Sequence, residues 1–182
     1  MPLKETTPAL RQLKGRHNLV GAEIGIYRGA NAGFYLKELD IKLVSLIDPY
    51  VGYGNYSPVK VGLKHFEEAE KLAHEKLRNY ERRIMWVKKK SSEAVKFIDD
   101  NSLDFIYIDG NHSHDSVAED VTLYYPKLKM GGLLAGHDYD IETVRKAVDD
   151  FVIAQNLYLH KENGAGMAGK YDWWVWKEKR NG

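Results

Sequence analysis

The sequence predicts an α/β fold, a mostly parallel seven-stranded sheet wrapped by helices and closed by a C-terminal antiparallel hairpin. Three observations carry this. Short apolar runs alternate with amphipathic stretches along all 182 residues, with no linker, repeat or low-complexity tract. Five of the apolar runs end in glycine or polar residues. The last two runs are rich in aromatics and flank the glycine-rich stretch 163–169, a hairpin pattern. The chain therefore reads as one domain over 1–182, with a helical extension over 1–17.

Residues 7–14 predict the leading helix. Asn18-Leu-Val-Gly-Ala-Glu-Ile-Gly25 reads as a first strand running into a glycine turn, and 30–38 as the next helix. Residues 42–48 form a second strand, apolar on both faces like a buried parallel strand, and ending in Asp48. A loop rich in Gly and Tyr covers 49–56. Ser57 caps and Pro58 opens a long helix. In it Val59, Leu63, Phe66, Ala69, Ala73, Leu77 and Tyr80 recur at three- and four-residue spacing. Residues 84–87 give a third strand, and Ser92 caps a helix holding Val95, Phe97 and Ile98. The fourth strand, 105–108, closes at Asp109-Gly110. A helix follows through Val117, Ala118, Val121 and Leu128 to a stop at Met130-Gly131-Gly132. Residues 133–135 form a buried fifth strand ending at Gly136-His137-Asp138. Asp140 caps a helix carrying Val144, Val148 and Phe151. Strands near 157–160 and at 171–176 make the hairpin, whose tryptophans suit a core or a homodimer edge.

Composition narrows the function. The net charge of +1 argues against the basic face of a nucleic-acid binder. The lack of cysteine excludes disulfides, thiolate nucleophiles and cysteine-bound zinc, and fits a reducing compartment. No apolar run approaches the ~20 residues that cross a bilayer, and 1–15 lacks a signal-peptide core. The expectation is a cytoplasmic protein with neither nucleic acid nor membrane as partner.

Function resides in the strand ends. Glu23 and Gly25, Asp48, Ser91 and Ser92, Asp109 and His112, and His137 and Asp138 follow the carboxyl ends of successive strands. In open parallel sheets ligands bind there, where strand order reverses. An acid about 20 residues beyond a glycine turn suits a ribose diol, so Gly25 and Asp48 together indicate a nucleoside. Gly29, at the start of the next helix, presents free N–H groups to an anionic group. The glycines at 21, 25 and 29 lack the G-x-G-x-x-G spacing of a dinucleotide site. Glu23 beside them would repel a pyrophosphate, but it suits a cofactor bearing ammonium and sulfonium charges.

Glu23-x-Gly25-x-x-x-Gly29 resembles the first motif of class I S-adenosylmethionine-dependent methyltransferases. The stretches 102–120, with Asp109-Gly-Asn-His-Ser113, and 128–140, with Gly136-His-Asp-Tyr139, resemble methyltransferase family 24, near the sugar and macrolide O-methyltransferases. The resemblance spans about 19–176 and implies a Rossmann-like three-layer sandwich. It implies that Glu23, Gly25 and Gly29 line the methionine and ribose side of S-adenosylmethionine, and that Asp48 holds the ribose. Ser91 and Ser92 would flank the adenine, and Asp109 would lie beside methionine and acceptor. It further implies Mg²⁺ on Asp109 and Asp138, with His137 as a further candidate ligand. The implied reaction is O-methylation of a small hydroxylated acceptor. A metal-free alternative makes His137 the general base, with His112 and His114 as further candidates. His112 also has a plainer reading, as cap of the helix after it. Two other functions stay open. One is a metal-dependent phosphoesterase, for which an early Asp-x-His pair is missing. The other is a non-catalytic nucleoside-binding domain.

Overall fold

The computed structural model describes residues 6–51, 63–163 and 171–178. In chain order the elements are α1 (Pro8–Arg11), β1 (Leu19–Ile24), α2 (Ala30–Glu38), β2 (Ile41–Ile47), α3 (Leu63–Leu77), β3 (Ile84–Val87) and α4 (Ser91–Ala94). There follow β4 (Leu103–Ile108), α5 (His114–Tyr124), β5 (Leu128–Gly136), α6 (Glu142–Gln155), β6 (His160–Asn163) and β7 (Tyr171–Trp176). The seven strands form one sheet in the order β3-β2-β1-β4-β5-β7-β6. Strands β1 to β5 are parallel, and β7 runs antiparallel to β5 and β6. The order reverses between β1 and β4, so a crevice opens at their carboxyl ends.

Period-two alternation sorts the central strands between two cores. On β4, Phe105 and Tyr107 pack into one core, while Ile106 and Ile108 pack into the other. The first core lies under α1, α2 and α3, and the second under α5 and α6. Phe105 is fully buried and meets the Tyr35 ring edge-on at 5.8 Å. Truncating it to alanine would cost about 3–5 kcal/mol.

Several predicted boundaries move for identifiable reasons. The leading helix is shorter than 7–14, but Leu10 and Leu13 are both fully buried. Leu128 belongs to β5 and not to the preceding helix, because α5 ends ahead of Pro126, which cannot continue an α-helical ladder. Gly131 and Gly132 are not a helix stop. They lie inside β5 where the β4–β5 register jumps from Leu103↔Leu128 to Phe105↔Leu133, a bulge, and both bond to Lys177 just past β7. The N-cap residues of α4 and α6 are Lys90 and Ile141, without side-chain capping, in place of Ser92 and Asp140. β6 starts at His160 because Asn156 turns left-handed (φ 53°) and Leu157 bonds back to Val152, closing α6. Gly21 sits inside β1 against the Phe105 ring, away from the turn. Trp173 and Trp174 are 1% and 6% exposed, so both are absorbed into the cores of this chain. Ser57, Pro58, Val59 and most of the loop 49–56 and of the stretch 163–169 lie outside the described residues. Among the described residues, no helix is long and apolar enough to cross a membrane.

Candidate active site

Backbone bonds continue the sheet one residue past the strand ends and place the polar residues side by side. Gly25 N–H donates to Ile47 O at 2.9 Å, Asp109 N–H to Ile24 O at 2.8 Å, and His137 N–H to Ile108 O at 3.1 Å. Gly25 has φ +85°, and a Cβ there would collide with the Asp109 carbonyl. Glycine is thus the residue that lets the β1 and β4 ends close on each other. Gly29, at φ 66°, is the N-cap of α2 and turns the chain into that helix.

Asp48 faces this turn. Its Oδ2 accepts from the backbone N–H groups of Ile26 and Tyr27, both at 2.9 Å, and its Oδ1 accepts from Tyr50 N–H at 2.7 Å. A carboxylate has about four lone-pair positions. The backbone already fills three of them, so gripping both ribose hydroxyls, as the sequence suggested, would require these bonds to give way. Asp48 fixes the shape of the glycine turn, a role invisible in the sequence.

Glu23 lies on the α2 face of the sheet and is 2% exposed. Its oxygens accept from Asn31 Nδ2 at 3.0 Å and from the Tyr35 hydroxyl at 2.8 Å. Burial pushes its carboxyl up to about 8, against the lowering effect of those donors, and the fields of Asp109 and Asp48 add to the rise. At neutral pH Glu23 is mostly protonated, so its expected negative charge beside the cofactor is largely suppressed.

On the other face a cavity of about 260 Å³ is lined by Gly25, Ile47, Pro49, Ser91, Ser92 and Asp120, among others. Ligand cavities run from ~300 Å³ upward, so this one suits part of a nucleoside. The structure therefore brings Ser91 and Ser92 to the cavity that also reaches the β1 turn. It also adds Asp120, which sequence reading missed. Its signal was an acid on the stripe Val117, Asp120, Val121, Tyr124, all of them buried.

The second polar cluster joins the loops after β4 and β5. His112 Nε2 lies 3.1 Å from an Asp138 oxygen and 3.8 Å from Asp109. His137 Nδ1 lies 3.1 Å from the other Asp138 oxygen. Asp138 takes a left-handed conformation (φ 56°), uncommon for a side-chain-bearing residue, and this bends the chain after β5. The carboxylates of Asp109 and then Asp138 push the His112 imidazole up to about 9, outweighing burial. For His137 burial pulls downward, but the Asp138 hydrogen bond and the fields of Asp109, Asp138 and Asp172 outweigh it, so its pKa rises. Burial alone would raise the Asp138 carboxyl, yet its two histidine partners hold it well below the usual range. His112 does not cap α5. Ser113 does, its hydroxyl accepting from Ser116 N–H at 3.3 Å. His114 turns away, toward Asp115 and Asp150.

Asp109, His137 and Asp138 each offer a ligand atom within 4.8 Å of the others. Two carboxylates and an imidazole fit a divalent cation, Mn²⁺ better than Mg²⁺ on account of the nitrogen donor. Protonated His112 supplies a positive charge at the same carboxylates without any metal.

A sequence profile described as "Methyltransferase domain" matches residues 22–139. An uncharacterized protein of Acanthamoeba polyphaga mimivirus is 27% identical over 128 residues, 68% of this chain and 53% of that protein. The chain thus spans about half the length of that curated relative. Among solved structures, an O-methyltransferase from Bacillus cereus, in complex with S-adenosylhomocysteine, superposes with a TM-score of 0.66 at 12% identity, covering 93% of this chain and 79% of that one. An rRNA methylase from Streptococcus thermophilus gives a TM-score of 0.66 at 13% identity, covering 93% and 92%. At such identities these two report the shared fold.

Proposed function

Because the chain belongs to the methyltransferase-domain family, we propose that it transfers a methyl group from S-adenosylmethionine to the hydroxyl of a small acceptor. The observation carrying this reading is the cavity at the β1–β4 reversal, lined by Gly25, Pro49, Ser91 and Ser92. The His112, His137 and Asp138 cluster follows the ends of the next strands. The near-neutral charge of the chain favours a small molecule over a nucleic acid as acceptor.

In this reading Pro49, Ser91 and Ser92 would hold the nucleoside end of S-adenosylmethionine, and the Gly25 turn would take its methionine end. Asp48 holds that turn in shape. The cofactor supplies a methyl carbon already activated by a sulfonium. When bound, it would offer that carbon to the acceptor oxygen with the thioether as leaving group, so the protein's task is to take the acceptor proton. His137 Nε2 takes the proton, while Asp138 at Nδ1 fixes the ring and stabilises its charged form. Asp109 and Asp138 would hold a divalent cation, which acidifies a coordinated hydroxyl when bound. His112, held protonated, balances the two carboxylates and is unsuited to accept the proton at neutral pH.

The test is transfer of radiolabel from S-[methyl-³H]adenosylmethionine to catechols, sugars, hydroxylated macrocycles and total RNA. Labelled small molecules support the proposal. Label in RNA alone would overturn the acceptor class, and S-adenosylhomocysteine binding without transfer to any arm would favour the non-catalytic reading.

A further inference from the structure

Asp120 is only 4% exposed, yet it belongs to the cavity lining, one helical turn beyond Ser116 and beside Glu119. The Ser91 hydroxyl hydrogen-bonds to its carboxylate, and the Tyr124 hydroxyl donates to Ser91 O at 2.9 Å, so α5 clasps the start of α4 from two positions. The other feature is an open acceptor, because Asp120 Oδ1 has no hydrogen-bond partner among the described residues. A buried acceptor without a donor is costly. Burial, reinforced by the field of Glu119, pushes this carboxyl up to about 6 despite the serine bond. An acid in that position meets packing needs worse than the valines flanking it, which points to a ligand group as the missing donor.

The ligand chemistry is constrained. The partner must carry an N–H or O–H, and it must lie at the inner wall of a cavity too small for a whole nucleoside cofactor. On the reading of this cavity as the base pocket, on which the inference rests, adenine presents its exocyclic amine as a donor. Hypoxanthine in the same pose presents a 6-oxo acceptor. We propose that Asp120 is the specificity-determining residue for the cofactor base, accepting a hydrogen bond from the adenine exocyclic amine while Ser91 orients its carboxylate.

The test compares S-adenosylhomocysteine with S-inosylhomocysteine by isothermal titration on the full chain at pH 8, where Asp120 is ionised. The expected result is at least tenfold tighter binding of the adenosyl compound. Asp120→Asn, whose amide can turn its N–H₂ toward a 6-oxo group, should bring the two affinities within about threefold or invert them. Ser91→Ala should narrow the ratio while leaving its direction. Equal binding of both compounds by the unaltered protein overturns the proposal without reference to any variant. So does a folded Asp120→Asn protein, verified by its melting temperature, that keeps the original ratio. Binding of neither compound would instead reject the cofactor reading, and this inference with it.

Discussion

His112 Nε2 sits 3.1 Å from the Asp138 carboxylate, tying the loop after β4 to the left-handed turn after β5. Each is thus the other's counter-charge. Because folding raises the His112 pKa from its ordinary 6.5 to about 9, the folded state binds the extra proton between those values. The stabilisation is complete below about pH 6.5 and is lost as pH rises through about 9. Urea unfolding should show ~2–3 kcal/mol of His112-dependent stability disappearing over that window. His112→Gln should flatten that part of the profile, and an unchanged profile would remove the pair from the account.

The same imidazolium competes with a metal. A divalent cation on Asp109, His137 and Asp138 would meet the charge of His112 at shared carboxylates. Mn²⁺ affinity measured by titration calorimetry should therefore strengthen from pH 6.5 to 9, as His112 loses its proton. Asp138→Asn should abolish binding. Affinity independent of pH would show that His112 and the cation do not share a site.

Glu23 gives the opposite kind of handle. Its folded pKa of about 8 lies above its ordinary 4.5, so the folded protein holds a proton that the unfolded chain has released. Its contribution to stability falls as pH rises from about 4.5 to 8. Glu23→Gln keeps the side chain neutral at every pH, so the difference in melting temperature between variant and parent should grow across that window. A constant difference would mean that Glu23 titrates as an ordinary carboxyl.

Asp48→Ala should act twice. It orphans the N–H groups of Ile26, Tyr27 and Tyr50, costing ~1–3 kcal/mol in denaturant unfolding. It should also weaken S-adenosylhomocysteine binding at least tenfold, because the turn loses its shape. Destabilisation without loss of affinity would make Asp48 purely a structural residue.

His137→Asn should lower kcat by ~10²–10⁴ with little change in cofactor affinity, in steady-state assays on whichever acceptor is labelled. A wild-type kcat in that variant would move the base elsewhere.

Much of this is legible in the sequence. Short apolar runs and glycine punctuation placed β1 to β5 in order, and the polar residues after them marked the crevice. What escaped depended on contacts distant in sequence. Leu128 reads as helix because its apolar spacing continues that of α5, and only Pro126 and the pairing with Leu103 assign it to a strand. Asp48 reads as a free acid because its three backbone donors come from a turn more than 20 residues earlier and from Tyr50 just after it. Glu23 reads as charged because its burial under Tyr35 and Asn31 is a tertiary fact. Asp120 was visible as an acid on an apolar stripe, but its open oxygen and its place in the cavity wall were not.

A crystal structure of the full chain with S-adenosylhomocysteine tests the central claim most directly. The nucleoside should lie across the β1–β4 reversal, with its base between Pro49 and the start of α4 and its sulfur within reach of His137 or Asp109. A ligand bound elsewhere, or side chains filling that cavity in the complex, would contradict it.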